Sequence, residues 1–172
     1  METSLALIIN FNAESIFEVV HTSGANQDWG GWPNFDGNVY VQMIGMRNYS
    51  GPTSLAGSGF HPVTESLVTA LKNDPRYQSP VINADSLQSA GVASYLDSYQ
   101  NTGYFIKKYA PEAQYRCNSC GVPELNYPND WIEIRLADTY LMEAEALVRG
   151  NGDLVKADTL LNRVRERLVL SH

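Results

Sequence analysis

The stretch Asp28-Trp29-Gly-Gly-Trp32-Pro-Asn34-Phe35 brings indole rings, a carboxylate and an amide together among glycines. Sugar rings present C–H faces that pack on Trp or Tyr, while Asn and Asp side chains take up their hydroxyls. Glycines let backbone and ring approach closely. These residue types therefore suit a neutral polar ligand. Trp29 and Trp32 are the candidates for stacking, Asp28 and Asn34 for polar contacts, and Tyr40 is an outlying aromatic candidate. The same rings could instead anchor the surrounding loop as local core, and both readings stay open at the level of sequence.

Other reactive side chains point away from catalysis. Cys117-Asn-Ser-Cys120 is a single C-x-x-C. Structural zinc needs a second pair or nearby His ligands, and His21, His61 and His172 lack suitable spacing. Gly121-Val-Pro123 is unsuited to the helix start that a redox-active first cysteine requires. The expectation is a local disulfide or a pair of free thiols, with no metal and no cofactor. Glu143 and Glu145 sit two apart on a helical pattern and face different directions, so they are not an acid–base pair. Glu145 is expected in a buried ion pair with Arg135, Arg165 or Arg167. Asn162 and Arg165 read as residues tying elements together. There is no Gly-x-Ser-x-Gly, His-Glu-x-x-His, phosphate-binding loop or dinucleotide fingerprint. Glycosidase carboxylates have no short signature, so this lowers the expectation of an enzyme without removing it.

The elements that must position these residues are legible in part. Leu136, Tyr140, Leu141, Ala144, Leu147 and Val148 share one helical face, as do Leu154, Ala157, Leu161, Val164 and Leu168. Gly150 and Gly152 break the pattern, and Asp153 can cap a second helix, which predicts a helical hairpin. Residues 1–20 are apolar and β-branched enough for a strand, with Ile16, Glu18 and Val20 on one side and Phe17 and Val19 on the other. Residues 22–60 hold eight glycines interleaved with aromatics and read as a long loop of little regular structure. A loop of that length is functional or disordered, and its aromatics argue against disorder. A short helix over 63–73 starts at Thr64 and stops before Asp74-Pro75. Residues 77–103 read as irregular with a turn of helix near Val92 to Tyr99, residues 104–109 as a strand, and 110–130 as a second loop.

Composition bounds the partners. With 12 basic and 19 acidic residues the net charge is −7, and basic residues cluster only at Arg163, Arg165 and Arg167. That disfavours a phosphate-backbone reader, so no nucleic-acid partner is expected. Apolar residues make up 44% of the 172, enough for a globular core. No run approaches the ~18 apolar residues of a membrane-spanning helix. Acidic Glu2 follows Met1 and no basic n-region precedes Leu5–Ile9, so no signal peptide is read.

Four segments together resemble one family. Arg135-x-Ala-Asp-x-x-Leu-x-x-Ala-Glu-Ala, a Gly-Asp turn, Ala157 and Leu161-Asn162-x-Val-Arg165-x-Arg167 resemble the SusD/RagB family. So do Glu14–Val20, Pro62–Leu71 with Asp74-Pro-Arg76, and Gly103-Tyr-Phe-Ile-Lys-Lys-Tyr109, in the family's order. The resemblance implies a mainly α fold with long irregular loops, a few short strands and a tetratricopeptide-like helical hairpin at the C-terminus. It places the loop after residues 14–20 on the ligand-facing side. Residues 1–172 would be a single partial domain of a longer protein, lacking N-terminal helical repeats and the family's extreme C-terminus. The implied function is non-enzymatic glycan capture at the cell outer membrane, held by a lipid anchor that this chain does not contain, with an oligosaccharide or polysaccharide as ligand. The implied partner is a SusC-like TonB-dependent transporter. A helical-repeat protein-interaction module, with buried aromatics and no sugar binding, is the alternative. A carbohydrate-active enzyme using Asp28 and Asp36 ranks below both.

Overall fold

The computed structural model describes residues 12–31, 36–74 and 80–166. Within them the chain runs β1 (Ser15–Val19), α1 (Val39–Ile44), α2 (Glu65–Leu71), β2 (Val81–Asn83), α3 (Ala84–Ser89), β3 (Tyr104–Ile106), β4 (Trp131–Arg135), α4 (Leu136–Arg149) and α5 (Leu154–Glu166). Short 3-10 turns occupy Trp29–Gly31, Ala113–Tyr115 and Pro123–Leu125. The described chain separates into two compact units, one of residues 20–130 and one of 12–19 with 131–166.

In the first unit, β2 and β3 pair antiparallel with Ile82 opposite Phe105 and Val81 opposite Ile106. Alternation sends successive side chains to opposite faces. Ile82 and Phe105 join Met46, Tyr49, Ala84, Tyr95 and Ala110 in one buried cluster, where Tyr95 meets Phe105 edge-on at 5.6 Å. Val81 turns the other way onto Val63 and Val68, with Ile106 against them. A ribbon this short is stable only because both faces are covered. Asn83 ends β2 and caps α3 by accepting the Ser86 N–H at 2.9 Å.

Thr64 caps α2 as its sequence position predicts, accepting from Leu67 N–H at 3.3 Å. Among the described residues the 22–60 stretch holds little regular structure beyond the helix Val39–Ile44 and the 3-10 turn Trp29–Gly31. Asn38 caps that helix, and Val41 and Ile44 are fully buried. The carbonyls of Gln42, Met43 and Gly45 accept N–H bonds from Ser58, Phe60 and Gly59. Residues 92–99, expected to hold a turn of helix, are instead irregular, with one isolated bridge at Ser94. Ser94 pairs with Ser50, and Leu96 N–H donates to Arg47 O. The helix in that region is α3, several residues earlier.

The second unit pairs β1 with β4 antiparallel and then runs straight from Arg135 into α4. Leu136 N–H donates to Glu14 O at 2.8 Å, which closes the junction. Residues 131–135, which the sequence pattern assigns to the hairpin segment, are therefore strand. The α4–α5 hairpin is present. Ala144 and Ala157 let the helices approach closely, and Leu160, Tyr140 and Leu147 fill the contact. Asp153 caps α5 by accepting the Lys156 N–H at 3.0 Å. The turn's left-handed residue is Asn151, with φ 52°, rather than either flanking glycine. Leu168 lies outside the described residues.

Candidate functional site

The described residues of the loop between β1 and α1 are tied down at several points. Its two sides meet where Thr22 N–H donates to Asp36 O at 2.9 Å, a compact closed form for a surface loop. His21 N–H donates to Asp130 Oδ1 at 2.8 Å, and Gln27 Nε2 donates to Asp36 Oδ2 at 3.4 Å. Midway along, both backbone polar groups of Gln27 are taken by one side chain. Gln27 N–H donates to Asn126 Oδ1 at 3.0 Å, and Asn126 Nδ2 donates back to Gln27 O at 3.0 Å.

From that anchor the chain turns directly into Asp28 and Trp29. Asp28 Oδ1 accepts the Gly30 N–H at 2.8 Å, and Asp28 O accepts from Gly31 N–H at 3.1 Å. The carboxylate thus builds the 3-10 turn that carries Trp29, an Asx-type role. Trp29 is 58% exposed. The ring is thus more than half exposed on backbone that Asp28 hydrogen-bonds. Asp36 is likewise committed to closing the loop. Trp32 and Asn34 lie outside the described residues.

Tyr40 is placed on α1, half-buried, with its ring 5.0 Å from that of His61 and tilted by 56°. Phe60 and Tyr99, which sequence patterning did not single out, are exposed rings in the same unit. Cys117 and Cys120 form a disulfide with Cα atoms 5.6 Å apart. It directly precedes the Gly121–Asn126 segment against which Gln27 is held. Among the described residues no group of three or more His, Cys, Asp or Glu is arranged to hold a metal ion.

The hairpin residues do not form the expected buried ion pair. Glu145 is exposed and bonds Arg149 one turn on, at 2.7 Å. Arg135 clasps Asp138 through two contacts of 2.8 and 3.0 Å. Glu143 reaches Lys156 on α5 at 2.6 Å. The α4–α5 contact is filled by Ala144, Ala157, Leu160, Tyr140 and Leu147, and the charged side chains lie outside it and pair with neighbours on the helix surface. Asn162 donates to Asp158 at 3.0 Å, and Arg165 is exposed. Arg167 lies outside the described residues. Leu141, Val148, Leu154 and Leu161 line an open apolar groove of about 490 Å³ on the hairpin.

Burial pushes the Tyr127 hydroxyl up to about 12. It raises Tyr95 as well, with the adjacent Asp85 carboxylate acting in the same direction and a hydrogen bond from Asn101 opposing it. Both phenols stay protonated and act as fixed parts of the core.

The family model for the SusD family matches residues 13–171. Among solved structures, a laminarin-binding SusD-like protein is 40% identical with a TM-score of 0.88, covering 94% of this chain and 36% of its own. Surface glycan-binding protein A from Bacteroides thetaiotaomicron, solved in complex with laminarihexaose, is 30% identical with a TM-score of 0.80. That match covers 90% of this chain and 35% of the other. Surface glycan-binding protein A from Bacteroides uniformis matches at 25% identity and a TM-score of 0.70, covering 92% and 30%. The chain thus spans about a third of the length of the structures it matches. No curated protein matches it.

Proposed function

The chain belongs to the SusD family, and from that premise we propose that it carries the ligand-contacting region of a non-enzymatic protein that captures oligosaccharides. The observation that carries this reading is Trp29, more than half exposed on a loop whose backbone is hydrogen-bonded at both ends and in the middle. Flat exposed rings among neutral polar groups suit the C–H faces and hydroxyls of sugars. Relatives named for laminarin and laminarihexaose make a laminarin-type oligosaccharide the first ligand to try. Trp29 would stack on a sugar ring, and Trp32 would add a second face. Asp28 would chiefly shape the turn, Asn34 would offer a hydroxyl contact, and Tyr40 would stand at the margin.

In this reading the captured glycan passes to a SusC-like TonB-dependent transporter, and a lipid anchor holds the protein at the outer membrane. The protein-interaction alternative calls for buried aromatics, and the exposure of Trp29 favours glycan capture over it. Asp28 and Asp36 both serve the loop's own hydrogen bonds, which weighs against a glycosidase pair.

Titration with laminarihexaose, followed by tryptophan fluorescence and calorimetry, tests this. Trp29→Ala is expected to weaken binding roughly tenfold, the order of one stacked ring with its buried area, while the melting temperature stays within a degree or two. Unchanged affinity in the variant would remove Trp29 from the site. A large drop in melting temperature would assign the ring to the core.

A further inference from the structure

We infer that Asn126 is the positioning residue for the Trp29 platform, an inference that rests on the glycan-capture reading of that loop. Asn126 is completely buried and lies 99 positions from Gln27 in the chain. Its amide serves as a substitute strand for Gln27, accepting that residue's N–H at 3.0 Å and donating to its carbonyl at 3.0 Å. The second Nδ2 hydrogen goes to Val122 O at 2.7 Å, which fixes which way round the amide sits. Val122 N–H donates to Gln27 O as well, at 2.9 Å. One side chain therefore satisfies a complete backbone unit two residues before Trp29.

Gly121 completes the seat. Its φ of +60° is left-handed, and a Cβ there would come within 2.3 Å of Gln27 O and 2.6 Å of Asn26 O. The loop backbone is pressed onto this turn as closely as a glycine allows. Among the described residues, Gln27 is otherwise held by the Val122 N–H and by the 3.4 Å contact to Asp36 in the same loop. Releasing Asn126 frees the hinge from which Trp29 projects. A site that is present but loosely held binds weakly, because the ordering cost falls on the ligand.

The decisive variant is Asn126→Asp, which keeps Oδ1 for the Gln27 N–H and replaces the donor with an acceptor facing two carbonyls. Hydrogen exchange at the amides of 27–31 in the ligand-free protein is expected to speed up. Laminarihexaose affinity is expected to fall roughly tenfold, the order for one buried amide losing its partners. Adding Trp29→Ala to Asn126→Asp should cost little more than either alone, since both act through one ring. Should Asn126→Asp fail to fold, Gly121→Ala displaces the same backbone from an exposed turn and is expected to give the same exchange and affinity changes. Wild-type affinity in a folded Asn126 or Gly121 variant, alongside weakened binding in Trp29→Ala, overturns the inference and leaves glycan capture standing. If the wild-type protein binds no laminarihexaose, the capture reading has failed for that ligand. The exchange rates at 27–31 then decide positioning by themselves: unchanged rates overturn it and faster rates uphold it.

Discussion

Gly103 shows how a single position can be decided by its backbone conformation and a neighbouring side chain. Its φ is +74°, and a Cβ there would lie within 2.1 Å of an Asp85 carboxylate oxygen. That carboxylate is held in place by the Tyr95 hydroxyl, itself contacted by Asn101 at 3.1 Å. Gly103→Ala therefore combines left-handed backbone strain with a clash, and is expected to destabilise by about 2–4 kcal/mol in urea unfolding. Removing the obstacle with Asp85→Ala should reduce the penalty of Gly103→Ala to about 1–2 kcal/mol, the backbone part alone. An equal penalty in both backgrounds would show that the carboxylate plays no part. Glu145 makes the opposite point. Its partner is the exposed Arg149, and an exposed pair of that kind contributes ~0.5 kcal/mol or less.

Among the elements, the hairpin is the best specified and the most sensitive. Ala144 and Ala157 lie together in its buried core, both nearly fully buried. Ala157→Leu forces extra methylenes into that contact and is expected to cost about 1–3 kcal/mol, read as a lowered thermal midpoint. Leu154→Ala, at a residue 62% exposed, should cost far less; a comparable loss would mean that the groove side is covered in solution. The hairpin was readable because caps and apolar spacing act over a few residues: Asp153, the Gly-Asn-Gly turn and the Ala positions are all local signals. The helix at 39–44 was not readable. Its Val39-Tyr40-Val41 run favours a strand, and it is helical because Asn38 caps it, Val41 and Ile44 are buried, and residues 58–60 take up its last carbonyls. Likewise Trp131–Arg135 is strand because β1 lies beside it.

At the scale of the whole molecule, buried tyrosines set an alkaline limit. Tyr127 is 1% exposed, and its hydroxyl is raised from 10.0 to about 12 by burial. Between those values the unfolded chain has lost the proton and the native state retains it. Stability is thus fully present below pH 10 and falls as pH rises toward about 12. Urea midpoints measured from pH 9 upward should decline, and Tyr127→Phe should decline less steeply. Some slope remains in that variant, because Tyr95 and Tyr115 are raised by burial as well. Parallel curves for the two proteins would exclude Tyr127 as a source of the loss.

The family, the hairpin with its Asp153 cap, the Thr64 cap of α2 and a strand at Tyr104 were determined by the sequence itself. The caps and the hairpin rest on interactions between residues close in the chain, where residue type dictates the bond, while the strand shows in its local run of residues and is completed by its pairing with β2. Tertiary structure alone decided that Trp29 faces solvent. It alone brought Asn126 to Gln27 across 99 positions. An aromatic ring in a glycine-rich loop has the same sequence signature whether it is buried or displayed. Which one it becomes is settled by the long-range hydrogen bonds that hold its backbone.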